Sequence, residues 1–440
     1  MRISLAFAGL MVCAFMANAV LAQDGAVVTA NNYQYHEVQA SPSDLPDVIG
    51  GGKAGCGCDN AKGCKGDCGD FCEPWRLFPN CGNWNITGWA AVGATANADN
   101  PASRYNGPMT FNDRDEVQVN QLYAVIENPI DNSGCGWDWG ARVDLLFGTD
   151  YIFTQEIGWE TTQAGAPKWN NRSHYGLAMP QAYVEVQRDD INLKLGRFYT
   201  IIGYESVMAP QNFFYSHAYT MQYGEPFTHT GALATWDYSC NLDFMAGIVN
   251  GWDRFDGVTD RMGFLGGMIY TPDHGIYSIA FTIISDTEES LVMPGTFHSR
   301  NMYSLVFTYD VSDRTQYVLQ HDAGRHSNAL GANADAEWYG INQYLFYTLN
   351  DCYKVGARFE WFRDDDGTRV AGVRAGNPYA GGNSGNFYEM SVGLNWTPCS
   401  NLMVRPEIRW DWYEGAGPMP FDDGTKNEQF TAAVDAIIVF

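Results

Sequence analysis

Beyond its first sixteen residues this chain of 440 has no apolar run long enough to cross a bilayer as a helix. Charge is scarce too, at 18% of residues, and one sign is scarcer: 26 Lys and Arg stand against 51 Asp and Glu, a net charge of −25. That acidic excess excludes a nucleic-acid partner as the natural reading and would repel anions at the rim of a pore. Catalytic spacing is missing as well. His298-Ser299 is no nucleophile elbow, and Asp364-Asp365-Asp366-Gly367 lacks the ligand spacing of a calcium loop. No enzyme, cofactor or resident metal is therefore expected. Yet 45% of the residues are hydrophobic and 14% aromatic. With no spanning helix, such a chain is either a soluble secreted protein or a barrel whose apolar residues are hidden by alternation.

The beginning reads as a targeting segment, residues 1–22. Met1-Arg2 is a basic start, Ile3–Met16 an apolar run, and Ala17-Asn18-Ala19 or Val20-Leu21-Ala22 a small-residue cleavage site. Residues 23–82 form a separate Cys- and Gly-rich extension or linker, carrying Cys56, Cys58, Cys64, Cys68, Cys72 and Cys81. Glycine at that density forbids an independent core.

The end of the chain sets the pattern for the rest. From Asn401 to Trp412, Leu402, Val404, Pro406, Ile408, Trp410 and Trp412 fall on one side, and Met403, Arg405, Glu407, Arg409 and Asp411 on the other. A period of two is an extended strand, and this one has the roughly 9–11 residues that a bilayer-spanning strand needs. The last strand, 429–440, closes on Phe440. Similar runs recur at 83–95, 115–127, 136–148, 179–188, 191–200, 230–239, 241–250, 260–271, 275–285, 300–310, 314–323, 336–349, 352–363 and 386–397. Tight turns such as Asp189-Asp190, Ser312-Asp313 and Asn350-Asp351 alternate with long loops at 149–178, 201–229, 286–299, 324–335 and 364–385. The expectation is an all-β fold: a transmembrane antiparallel β-barrel of about sixteen strands over 83–440, with short periplasmic turns and long extracellular loops.

The faces follow from the alternation. In 352–363, Tyr353, Val355, Ala357, Phe359 and Trp361 face lipid, while Lys354, Gly356, Arg358 and Glu360 face inward. A charge facing hydrocarbon costs roughly 2–4 kcal/mol at mid-bilayer, so Arg405, Glu407, Arg409 and Asp411 belong in water. Those charges either pair across strands or set the field that permeating solutes meet. Loop 201–229 is aromatic where a solvated loop would be polar, which points to packing, and folding back into the lumen is the favoured reading over the outer rim or a neighbouring subunit. Its Glu205, Tyr215 and Glu225, opposite Arg358, Arg405 and Arg409, are the candidate constriction residues.

The run from Gly196 to Gly231, the terminal Phe440 and the barrel rhythm resemble the β-barrel porin family of OmpL-like proteins and, more distantly, phosphate-selective porins. The resemblance implies an outer-membrane pore for passive diffusion of small hydrophilic solutes or ions, in contact with outer-membrane lipid and able to form a trimer. Loop 201–229 departs from the phosphate-selective pattern in having no Lys or Arg, so the expected preference is weakly cationic. The competing reading is a non-conducting structural or adhesion barrel anchored through its Cys-rich segment.

Removing Cys13 with the signal leaves ten of 11 cysteines, an even number for an oxidising compartment. Cys135, Cys240, Cys352 and Cys399 fall at short turns on one rim. A Cys352–Cys399 disulfide is expected, with Cys135 and Cys240 available to the N-terminal cluster or to another envelope protein. Zinc in Cys56–Cys72 is the rival, though no histidine joins that cluster.

Overall fold

The computed structural model describes residues 75–78, 82–130, 136–163, 165–169, 174–257 and 261–440. The expected signal segment, nearly all of the Cys-rich extension and Cys135 lie outside them.

Long alternating runs form the strands β1 (Asn85–Asn97), β2 (Val117–Asn128), β3 (Trp137–Gly148), β4 (Gly176–Ala178), β5 (Ala182–Arg188), β6 (Ile191–Tyr199), β7 (Thr228–Ser239), β8 (Leu242–Val249) and β9 (Gly263–Tyr270). The second half adds β10 (Tyr277–Glu289), β11 (Phe297–Ser312), β12 (Thr315–His326), β13 (Ala336–Asn350), β14 (Tyr353–Asp364), β15 (Gly385–Cys399), β16 (Leu402–Gly415) and β17 (Glu428–Val439). Apart from β4 and β5, consecutive strands pair antiparallel, and β1 pairs with both β2 and β17, closing the sheet. β4 and β5 both pair with β3. They are one spanning strand interrupted at Met179-Pro180-Gln181, where Pro180 has no N–H for the ladder. The barrel therefore has sixteen spanning strands, as the sequence predicts. An even number returns both ends of the barrel to one rim.

Turn chemistry sorts the connections. Short ones, such as 189–190, 313–314 and 351–352, alternate with long ones at 98–116, 149–175, 200–227, 365–384 and 416–427. Asp189 sits at φ 52°, a left-handed conformation that Asp tolerates in a tight hairpin turn. The expected loop 286–299 is shorter than its sequence suggests. Asp286 pairs with Arg300 and Glu288 with His298 in the β10–β11 ladder, which leaves 290–296 as the loop. Asp286 and Glu288 face inward against Arg300, so their polarity marked the lumen rather than a loop.

Burial is inverted relative to a soluble fold. Ile408 is 47% exposed and Trp410 42%, whereas Arg409 between them is 1% exposed. Outward aromatics gather near the ends of the strands. Trp137, Trp139, Trp236 and Tyr238 lie at the short-turn rim, and Tyr388, Trp410 and Trp412 toward the other, the two girdles of a membrane barrel. The seam is sealed at the C-terminus: Gly88 N–H donates to Phe440 O at 2.9 Å and Phe440 N–H to Gly88 O at 2.8 Å. Trp75 stacks on the Phe440 ring with centroids 6.4 Å apart. Its backbone N–H and C=O both bond the Asn401 amide at 3.0 Å. The end of the extension is thus fixed to the short-turn rim.

Replacing Ile408 or Val434 by Lys is expected to cost about 2–4 kcal/mol, the penalty for a charge on the lipid face. Urea titration of folding into phospholipid vesicles measures it, and an unchanged midpoint would place that face in water.

Candidate functional site

The luminal face of β14–β17 carries charge in rows. Register places Glu360 opposite Glu389 and Glu389 opposite Asp411, an acidic row across three strands. The next row holds Arg358, Ser391 and Arg409. Like charges directly opposite are unfavourable on a sheet, so the arginine row has to compensate the acidic one. Arg358 Nε reaches Glu389 Oε1 at 2.5 Å, and Arg409 meets Asp411 at 2.7 Å and Glu389 at 3.9 Å. Two rows further, Arg405 grips Asp435 through two nitrogens at 2.9 and 2.5 Å. All of these side chains are buried.

They are buried because the loop 200–227 lies against them inside the barrel, the luminal placement its aromatic content predicts. A loop there needs partners for its backbone, since an unpaired buried N–H costs about 1–3 kcal/mol. The wall supplies them. Glu407 accepts the N–H groups of Tyr215 at 2.9 Å and Ser216 at 3.1 Å. Glu360 accepts those of Tyr219 at 2.5 Å and Thr220 at 2.6 Å. The arginines take the carbonyls: Arg358 donates to Ser216 O at 2.8 Å, Arg409 to His217 O at 2.6 Å, and Arg405 to Ala209 O and Asn212 O at 2.9 and 2.5 Å. Room for the loop's rings comes from glycine. A Cβ on Gly93 would lie 2.3 Å from Tyr215, and one on Gly356 would lie 2.6 Å from Phe213.

The loop's other flank is apolar. Ile201 and Ile202 join Leu265, Ile284, Met302, Val306 and Val318 of β9–β12 in one buried cluster. The barrel interior is thus ionic on one side and hydrophobic on the other, with the loop wedged between. Neighbouring loops hold its end: Thr110 N–H donates to Gln222 Oε1 at 3.0 Å, and Tyr223 OH donates to Ala371 O at 2.8 Å.

All six expected constriction residues lie inside. Glu205 Oε1 receives Arg358 at 2.8 Å and Tyr344 OH at 3.0 Å, and Oε2 receives His217 Nδ1 at 2.8 Å and Ala218 N–H at 3.0 Å. Burial alone would raise its pKa, but Arg358, and after it His217, hold the carboxyl well below the usual range. His217 is itself lowered by burial, which outweighs Glu205, so a neutral ring donating from Nδ1 is the form consistent with both. Glu225 behaves oppositely. It receives Gln320 at 2.6 Å, and burial, then neighbouring Asp322, push its carboxyl well above the usual range. Its charged form is therefore disfavoured where it sits. Tyr215 OH donates to Asn120 Oδ1 at 3.1 Å.

Sequence reasoning did not single out Glu360, Glu389, Glu407, Asp411 and Asp435 as site residues. Alternation did place Glu360, Glu407 and Asp411 inward, and the signal that could have found the rest is that an inward Arg in a filled lumen needs an inward acid on the next strand. At the short-turn rim, Cys352 lies opposite Thr397, whose N–H donates to its carbonyl at 2.8 Å, and Cys399 pairs with Leu402. Neither thiol is free, whereas Cys240 is free and exposed.

Two substitutions separate the two glutamates. Glu205→Gln is expected to cost about 1.5–3 kcal/mol at pH 7, the value of hydrogen bonds to a charged group, whereas Glu225→Gln should cost less, because burial and Asp322 already disfavour the charged form of that carboxyl. Because the folded pKa of Glu205 is depressed, its contribution is full above the ordinary glutamate value of about 4.5 and is lost as pH falls below it. Urea midpoints across pH 3–8 check both, and equal losses for the two variants would contradict the assignment.

Comparison with known proteins follows the same lines. Residues 83–440 match the family model described as "Putative beta-barrel porin-2, OmpL-like". Among solved structures, the outer membrane channel DcaP of Acinetobacter baumannii superposes with a TM-score of 0.52 at 13% identity, covering 81% of this chain and 97% of that one. An anion-selective porin from Comamonas acidovorans gives 0.52 at 8% identity, covering 81% and 99%. The trimer form of OmpT from Vibrio cholerae gives 0.51 at 9%, also covering 81% and 99%. At such identities these neighbours speak to fold alone. No curated protein matches the chain. A closed barrel of sixteen strands with a loop folded into its lumen, matched over its whole length by one family, makes this chain a member of the OmpL-like β-barrel porin-2 family of the outer membrane.

Proposed function

We propose that the chain forms a water-filled channel for passive diffusion of small hydrophilic solutes or ions, narrowed by loop 200–227 and weakly cation-preferring. The observation that carries the reading is the seating of that loop on the charged inner wall. At the narrowing, Glu205, Arg358, Arg405 and Arg409 are paired and the charged form of Glu225 is disfavoured by burial and Asp322, so with Tyr215 they set width more than field. Preference then arises at the short-turn mouth. There Asp237 and Asp243 stand directly opposite in register, and Asp138 lines the same side as Glu185, which faces Lys194 at 4.0 Å. An acidic mouth concentrates cations. In a salt gradient across a planar bilayer the reversal potential should show modest cation selectivity, and clear anion selectivity would overturn the reading.

The near-total burial of Arg358 and Arg409, 1% exposed each, favours one second reading, a structural barrel without conductance. Current decides between them. Opening the latch with Glu360→Ala and Glu407→Ala together should raise single-channel conductance, whereas a wild type and a double variant that are both silent would leave the structural reading standing. Assembly as a trimer belongs to the channel reading, and anchoring through the Cys-rich N-terminal segment to the structural one.

A Cys352–Cys399 bridge is part of it too. Register sets Cys352 two residues short of Cys399, and such diagonal neighbours lie about 7–8 Å apart, at the edge of what a disulfide spans. The rival partners are cysteines of the 23–82 segment. Mass spectrometry of non-reduced peptides should recover the Cys352–Cys399 pair, and peptides joining either cysteine to that segment would overturn it.

A further inference from the structure

Three guanidinium groups converge at the long-loop end of the lumen, on the side away from the ionic latch. Trp252, from the connection 250–262, and Trp338, at the start of β13, stand with centroids 6.0 Å apart and planes at 83°. Arg300 of β11 lies 4.3 Å from the Trp252 centroid, and Arg369 of the loop 365–384 lies 5.1 Å from Trp252 and 4.6 Å from Trp338. Arg254 joins them through Glu288, which receives Arg254 at 2.5 Å on one oxygen and Arg300 at 2.8 Å on the other. Asp286 sits 3.5 Å from Arg300.

Those two carboxylates are therefore taken, and Arg369 is left over. Its Nε donates to Tyr223 O at 2.6 Å. Its two terminal nitrogens have no partner, and it makes no ion pair, among the described residues. The nearby acids are occupied by backbone: Asp364 accepts Thr368, Arg369 and Val370 N–H at 2.8–2.9 Å, and Asp253 accepts Phe227 and Thr228 N–H at 2.8 and 2.9 Å. A second sign points the same way. Arg300 and His326 face each other across β11–β12 and are 7% and 4% exposed, yet Arg300 Nε and His326 Nε2 have no hydrogen-bond partner. Unpaired buried polar groups are rare and call for a ligand, an ion or water.

The indole faces fix the Arg369 guanidinium by cation–π attraction without neutralising it. Burial, and after it Arg300, push Arg369 down to about 10, with Asp364, Asp253 and Glu288 offsetting part of the shift, so it is still charged at neutral pH. A planar fork whose two terminal nitrogens are unused matches an oxyanion.

We propose that this cluster binds a compact oxyanion, carboxylate or phosphate, borne by a solute entering from the extracellular side. Arg369 supplies the fork and Arg300 Nε a further donor. The site adds local capture of an anionic group to a channel whose mouth favours cations. The inference rests on the reading of the lumen as reachable by solutes, but its test needs no current.

The test is the unfolding temperature of the detergent-folded full chain in succinate, in inorganic phosphate and in chloride at matched ionic strength. A saturable rise in succinate, in phosphate or in both is expected for the wild type, and which of the two acts identifies the source of the oxyanion. Arg369→Gln should abolish the rise. Arg369→Lys, which keeps the charge and loses the fork, should weaken half-saturation by about tenfold, the size of one lost charge-assisted contact. The exposed variant Arg104→Gln should change nothing. No rise in the wild type, or the same rise in Arg369→Gln, overturns the proposal. If Arg369→Gln does not fold, equal half-saturation for wild type and Arg369→Lys overturns it. A silent bilayer with an intact shift would instead refute the channel and leave the site.

Discussion

Everything inside this barrel depends on one requirement: a backbone that enters a filled lumen must find hydrogen-bond partners there. Neighbouring strands cannot supply them, because their own N–H and C=O groups are spent on the barrel ladder. Side chains must do it. Between Tyr215 and Thr220, five backbone N–H groups are accepted by Glu407, Glu205 and Glu360. Four carbonyls between Ala209 and His217 are met by Arg405, Arg358 and Arg409. The same residues balance one another along the wall. Removing one partner of such a buried set exposes the next, so the latch stands as a unit.

The two-residue period of the strands makes this arrangement affordable in a membrane. It turns every second side chain to lipid, so Ile408 and Trp410 face outward while Arg409 and Asp411 face the loop. A slip of one residue in β16 would exchange the faces and put four charges into hydrocarbon. Lipid outside and latch inside therefore fix the same register. On the opposite side of the lumen, the apolar face of β9–β12 holds Ile201 and Ile202, and the loop is clamped by two kinds of chemistry.

The strands and their faces were legible because alternation is local. So was the inward fold of loop 200–227, since an aromatic loop free of Lys and Arg has to pack. What could not be read was partnership. Tyr215 meets Glu407 and Tyr219 meets Asp411 across 192 residues of sequence, and no local pattern encodes that. Glu225 was read as a charge on a loop free of Lys and Arg, whereas the fold buries it beside Asp322, and both push its carboxyl well above the usual range. The break at Pro180 was missed because the flanking residues keep the strand pattern on both sides. Arg369 escaped notice for the opposite reason: it lies in a loop that reads as solvated, and only the fold brings Trp252 and Trp338 against it.

The account stands on the capture of the loop backbone by the wall, and amide hydrogen exchange observes that capture directly. Measured on the detergent-folded protein, the amides of Tyr215, Ser216, Tyr219 and Thr220 should be protected to the same degree as those of β14–β16, because their N–H groups are buried and bonded to carboxylates. Exchange of these four at the rate of the exposed loop 416–427 would show that the loop is not latched, and would contradict the account.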